Sequence, residues 1–149
     1  MAEITRDELL ARYADGDRDF SGLDFLGQVN LSGANFSRAN LNNITAENTN
    51  FRNADLRNAY IQSAILTESI FEGANLCNAF LNDSDLSRAN FEGAILKYVH
   101  LCGTGLIDTN LRNADIEEVI VNDETILDGT NYREALNYRI GGIDGFIIE

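Results

Sequence analysis

Basic side chains are scarce in this chain of 149 residues: 11 Lys and Arg stand against 24 Asp and Glu, a net charge of −13. Surfaces that hold DNA or anionic lipid do so through Lys and Arg that neutralise phosphates, which excludes a direct role on either. Long apolar runs are missing as well. Nowhere do eighteen apolar residues follow one another, and the start, MAEITRDELL, has no basic n-region and no apolar h-region. The expectation is a soluble, unprocessed, cytoplasmic protein. Cys77 and Cys102 are too few for a disulfide framework and lack the spacing of a zinc site, so they read as free thiols. His100 is the one histidine, with no Ser or Cys set by a motif to make it a general base. GxGxxG, the phosphate loop, HExxH and the EF-hand loop are all absent, and GGIDG at 141–145 lacks the lysine or helix that would make it a phosphate site. The chain therefore reads as no enzyme, with no cofactor and no metal. What it does have is 44% apolar residues, enough for the core of a single domain.

Those apolar residues recur every five positions. From Leu31, Phe36 and Leu41 through Val121 to Ile126, each fifth residue is apolar, twenty centres in all, with Ala46 the one small member. Two residues before each centre stands a small side chain, Ala in ten of the twenty, with Ile44 and Glu124 as departures. The residue just before the centre is Asn or Asp in half of the pentads, as in ANFSR at 34–38 and ADLRN at 54–58. The other positions are mainly polar. A helix of 3.6 residues per turn would scatter centres spaced by five around its circumference. A straight strand would point alternate centres to opposite faces. The chain must therefore turn once in each pentad, which makes a solenoid with the centre and the small residue inside. Phe51, Phe71 and Phe91 recur at twenty, so the reading is four pentads to a coil.

Residues 18–129 resemble the pentapeptide-repeat family of A[DN]Lxx repeats, and the resemblance implies a right-handed four-sided β-helix of about five coils. Phe20 and Phe25 look like two further centres, with a slip of one residue between Phe25 and Leu31. The whole is expected to be one all-β solenoid domain. Residues 1–17 would be a capping α-helix, 18–129 the coils, and 130–149 a C-terminal cap or dimer contact. Thr5 and Glu8 form a capping-box pattern and Gly16 a stop, so a helix is expected over 5–15. The last segment carries too many apolar groups for a solvated tail. Tyr138, Ile143, Phe146 and Ile147 are candidates for an end-to-end homodimer contact, the alternative being a monomer with these residues as its cap.

A period of twenty lets surface columns be read from the sequence. Arg52 is expected beside Glu72, Glu92 beside Arg112, Lys97 beside Glu117, and Glu68, Arg88 and Asp108 in one ladder. The most unusual column is Tyr60, Phe80, His100 and Ile120, at the outward position where other pentads carry Asn or Asp, with Tyr98 near His100 across the corner. An aromatic stripe on a solenoid wall is a candidate surface for a protein partner of unknown identity. The functional reading is a non-catalytic protein-interaction module. The alternative rests on resemblance: the chain is similar in repeat type and acidity to pentapeptide proteins that occupy the DNA site of DNA gyrase and alter quinolone sensitivity. That implies a DNA mimic.

Overall fold

A computed structural model describes residues 2–25, 27–137 and 146–148. Within the repeats the chain bends once per pentad through a closed turn. In most pentads the carbonyl of the centre accepts a hydrogen bond from the N–H three residues on, as in Ala34 to Leu31 (3.0 Å), Ala54 to Phe51 (2.9 Å) and Ala79 to Leu76 (2.8 Å). The third residue of every such turn has φ near +60°, from Gly33 (68°) and Asn43 (58°) to Asn113 (56°) and Glu118 (53°). This is the region that glycine enters freely and that Asn and Asp tolerate. Of the eighteen residues at this position from 33 to 118, twelve are Asn, Gly or Asp. The preference for Asn or Asp before the centre has its own cause. Its side-chain oxygen accepts from the N–H two residues on, as Asn35 does from Ser37 (2.9 Å) and Asn90 from Glu92 (3.0 Å).

Parallel bridges join residues twenty apart, Asn30 to Asn50, Asn35 to Asp55, Asn40 to Tyr60 and Thr45 to Ile65, and continue up four ladders. Four pentads therefore complete one coil. The bonds alternate between neighbouring coils: Asn50 N–H donates to Val29 O and its carbonyl accepts from Leu31 on the coil before, while Thr49 O accepts from Ile70 N–H and Phe51 N–H donates to Ile70 O on the coil after. None of the nineteen centres from Leu31 to Val121 is more than 4% exposed. The rings of Phe51, Phe71 and Phe91 stack at 4.9 and 4.6 Å, close to the spacing of adjacent strands. Where the small inner position is Ser or Thr, its hydroxyl donates to the carbonyl of a centre one coil away. Ser69 does so to Ala46 (2.8 Å), Thr104 to Leu81 (3.0 Å) and Thr109 to Leu86 (2.9 Å). Thr49 Oγ1, in the same position and fully buried, has no hydrogen-bond partner among the described residues.

The slip expected between Phe25 and Leu31 is present: Asp24 bridges Thr45, twenty-one residues on, whereas Asn30 bridges Asn50 at twenty. A second slip overturns the reading of Ile126 as a centre. Gly105 bridges Ile126, again twenty-one residues on, so Ile126 occupies the outward position and is 46% exposed. Leu127, packed against the core, stands where the centre was expected. The extra residue is taken up over 122–125, where Asn122 N–H donates to Thr125 Oγ1 (3.2 Å) and that hydroxyl reaches Leu101 O (2.9 Å) from the small inner position. Glu124, the anomaly in the pattern, marked the place.

Strand β1 (Ala2–Ile4) pairs in parallel with β2 (Leu23–Phe25). Between them helix α1 (Arg6–Ala14) carries a complete capping box, Thr5 N–H donating to Glu8 Oε2 (3.0 Å) and Glu8 N–H to Thr5 Oγ1 (3.4 Å). Leu9 buries one face, and Tyr13 packs edge-on against Phe36 at 5.3 Å while its hydroxyl donates to Ser37 O (3.1 Å). At the other end, strand β3 (Val119–Val121) pairs in parallel with β4 (Phe146–Ile148). A 3-10 turn at Tyr132–Glu134 leads to Leu136, which bridges Asp115. Tyr138 and Ile143 lie outside the described residues; Phe146 and Ile147 belong to β4, whose backbone is paired within its own chain.

Candidate functional site

One ladder of the solenoid runs Asn40, Tyr60, Phe80, His100, Ile120, and then passes to Ile147 of β4. The register brings together the column read from the sequence. Tyr60 and Phe80 stack at 5.2 Å with rings 5° from parallel, and Phe80 and His100 at 4.6 Å and 23°. Tyr60 is 47% exposed, and Phe80, His100 and Ile120 are half-buried. Tyr98 stands in a different column. It is the positive-φ residue of its turn (59°), exposed, in line with Asn58 and Asn78 at the corner, and makes no ring contact with His100 among the described residues.

The wall gives up the hydrogen bond that Asn or Asp would make at its outward position, and the neighbouring column replaces it. Asn42 Oδ1 accepts from Gln62 N–H one coil on (2.7 Å), and Asn82 Oδ1 accepts from Cys102 N–H (3.0 Å). Asn122 Oδ1 does the same for Gly103 N–H (2.8 Å). The turns beside Tyr60 and His100 are thus satisfied without a polar bridge residue, so the rings cost the backbone little. Beside the three rings the flanking positions are uncharged, Asn58, Asn78 and Tyr98 on one side and Gln62, Asn82 and Cys102 on the other, with charge returning at Glu118 beside Ile120. The sequence reading found the rings but missed this neutrality, which reading the columns on either side at the same period would have shown.

Among the described residues most of the basic side chains are ion-paired, whereas most of the acidic ones are not. Arg52 meets Glu72, Arg88 meets Glu68 (2.9 Å), and Lys97 bridges Glu117 (2.6 Å) and Asp115 (3.2 Å). The hydrogen bonds that Lys97 donates to Glu117 and then to Asp115 push its pKa upward. Two expected pairs differ. Arg112 reaches Glu134 (2.8 Å), supplied by the 3-10 turn, and Glu92 is instead approached by Asn110 Nδ2 (3.4 Å). Arg88 stops at Glu68 and, among the described residues, does not extend the ladder to Asp108. Cys77 and Cys102 are free thiols. Among the described residues there is no cluster of three or more His, Cys, Asp or Glu able to hold a metal ion, and no helix long and apolar enough to cross a membrane. The wall offers contact area and ring faces.

A family model described as pentapeptide repeats matches in eight copies, over residues 19–53, 30–67, 54–93 and 84–123. Among solved structures, a pentapeptide repeat protein from Nostoc Pcc 7120 is similar over 99% of this chain and 98% of its own, at 24% identity and a TM-score of 0.56. A trypsin-treated variant of QnrB1, a plasmid-mediated fluoroquinolone resistance protein, is similar over 88% of this chain and 82% of its own, at 14% identity and a TM-score of 0.52. At these identities the likeness is one of fold. No curated protein matches the chain.

Proposed function

Because the chain belongs to the pentapeptide-repeat family, we propose that it is a non-catalytic protein-interaction module whose Tyr60, Phe80, His100 and Ile120 wall is read by a partner protein. In this reading the chain is a rigid rod of about five right-handed coils, closed by α1 at one end and by the C-terminal segment at the other. The observation that carries it is a contiguous stack of three rings with uncharged residues at the positions on either side of them, on a protein whose net charge is −13. Interface cores are enriched in aromatic residues and depleted of charge. A wall pinned by ladders on both sides also has little backbone freedom to lose on binding.

Asn is what other pentads carry at this position, so the triple variant Tyr60→Asn, Phe80→Asn, Ile120→Asn is expected to keep the fold. Quantitative capture from the source cell, wild type beside variant with matched circular dichroism, is expected to show partners lost from the variant. An unchanged set of partners would remove the wall from consideration.

The acidic-rod alternative, a DNA mimic that binds DNA gyrase or topoisomerase, is supported by the net charge and by the likeness of fold to QnrB1. Against it stands the pairing of Glu72, Asp55, Glu68, Glu117 and Asp115 with basic residues, in surface columns that mix both signs and neutral residues. A supercoiling titration separates the two readings. Undiminished gyrase activity at high molar excess, with and without a quinolone, is the outcome expected of the interaction module.

A further inference from the structure

Where α1 meets the first two coils, Tyr13, Arg18, Ser37, Arg38, Arg57 and Asn58 line a cavity of about 350 Å³. Three arginines converge there in a strongly acidic chain, and no carboxylate is among the lining residues. Arg18 is held in place by neutral groups. Its guanidinium lies 3.7 Å from the centre of the Tyr13 ring, and Nη1 donates to the carbonyls of Tyr13 (2.8 Å) and Asp17 (2.7 Å). Arg57 is different, because Nε and Nη2 are both taken by Asp55, at 2.9 and 2.7 Å. Arg38 has φ of 60°, in a column where the next coils place Asn58 and Asn78. Among the described residues neither Arg18 nor Arg38 has a carboxylate partner. Two positive charges are therefore left uncompensated beside a Ser hydroxyl and an Asn amide.

We propose that this cavity binds a phosphoryl group. A dianion matches two uncompensated guanidinium groups, and guanidinium forks fit its oxygens geometrically. The volume falls within the range of small-ligand sites, larger than a bare phosphate needs, so the group that carries the phosphoryl is accommodated too. That carrier is either a small phosphorylated molecule or a phosphorylated side chain of a protein. The site does not depend on the aromatic wall having a partner.

The test is a titration of the full chain, labelled with nitrogen-15, with inorganic phosphate at constant ionic strength, read by NMR at the backbone and at the arginine Nε–H groups. Saturable shifts confined to Arg18, Ser37, Arg38 and Asn58 are expected. Arg38→Asn, which places at 38 the residue found at 58 and 78, and Arg18→Gln are each expected to weaken binding roughly tenfold, as loss of a charge-assisted hydrogen bond does. Shifts that do not saturate, that spread over the surface, or that keep their affinity in both variants would overturn the site. A phosphoserine peptide is the second probe: tighter binding than phosphate assigns the site to a modified protein, and equal or weaker binding assigns it to a small molecule.

Discussion

At the scale of single residues the fold rests on one backbone state repeated at each corner. Tyr98 occupies that state at φ 59° with a bulky side chain. Replacing it with Asn is expected to raise the unfolding free energy by about 1 kcal/mol, measured by urea denaturation, since an L side chain in the left-handed region costs about that much and Asn bears it best. The inner hydroxyls give a paired expectation. Thr104→Val breaks the bond to Leu81 O and should cost about 1 kcal/mol, whereas Thr49→Val removes a buried hydroxyl that bonds to nothing among the described residues and should be neutral or stabilising. The sequence showed the apolar centre, the small residue and the Asn or Asp before the centre. It did not show the positive-φ corner, because Arg38, Glu68 and Tyr98 stand there among the Asn and Gly and blur it into a merely polar position.

At the scale of elements, local chemistry was legible and edge pairing was not. Thr5, Glu8 and Gly16 signal α1 by themselves. β1 and β4 are three residues long and have no periodicity of their own; they form because an end coil presents unpaired backbone. The second slip hid for the same kind of reason, since Ile126 continues the apolar count while the backbone has already moved on. The α1 junction is expected to respond to acid. Hydrogen bonds from the Thr5 N–H and then its hydroxyl hold the Glu8 carboxyl below its usual range, and the Asp19 N–H and then Arg12 do so for Asp17. A depressed folded pKa means stabilisation that is in place above the usual carboxylate range and lost as pH falls through the folded value. Protection of the α1 amides, measured relative to the intrinsic exchange rate at each pH, should therefore fall below about pH 4, before protection in the coils does. At the opposite end, deleting Phe146–Ile148 is expected to leave the β3 edge open. Light scattering should then report association that rises with concentration.

At the scale of the whole molecule, the period of twenty is what made the aromatic wall readable, because it turns a position in the sequence into a position on a face. The cavity at α1 was not readable that way. Arg18 comes from the connection after the helix while Arg38 and Arg57 come from corners of successive coils, and only the docking of Tyr13 onto Phe36 and Ser37 fixes their convergence. The core is shared along the axis. Phe71 stacks on rings above and below, so Phe71→Ala is expected to cost about 3–5 kcal/mol and to lower the thermal midpoint of the whole repeat region. The ladders also give the rod a mechanical character. Each coil is held to the next by bridges between residues twenty apart, and β1 and β4 are laid onto opposite ends of the stack. Tension applied between the termini would load those bridges in series from the ends inward, so the chain would peel one coil at a time. Twenty residues released from one coil lengthen the chain by on the order of 65 Å, giving a staircase of nearly equal steps in a pulling trace.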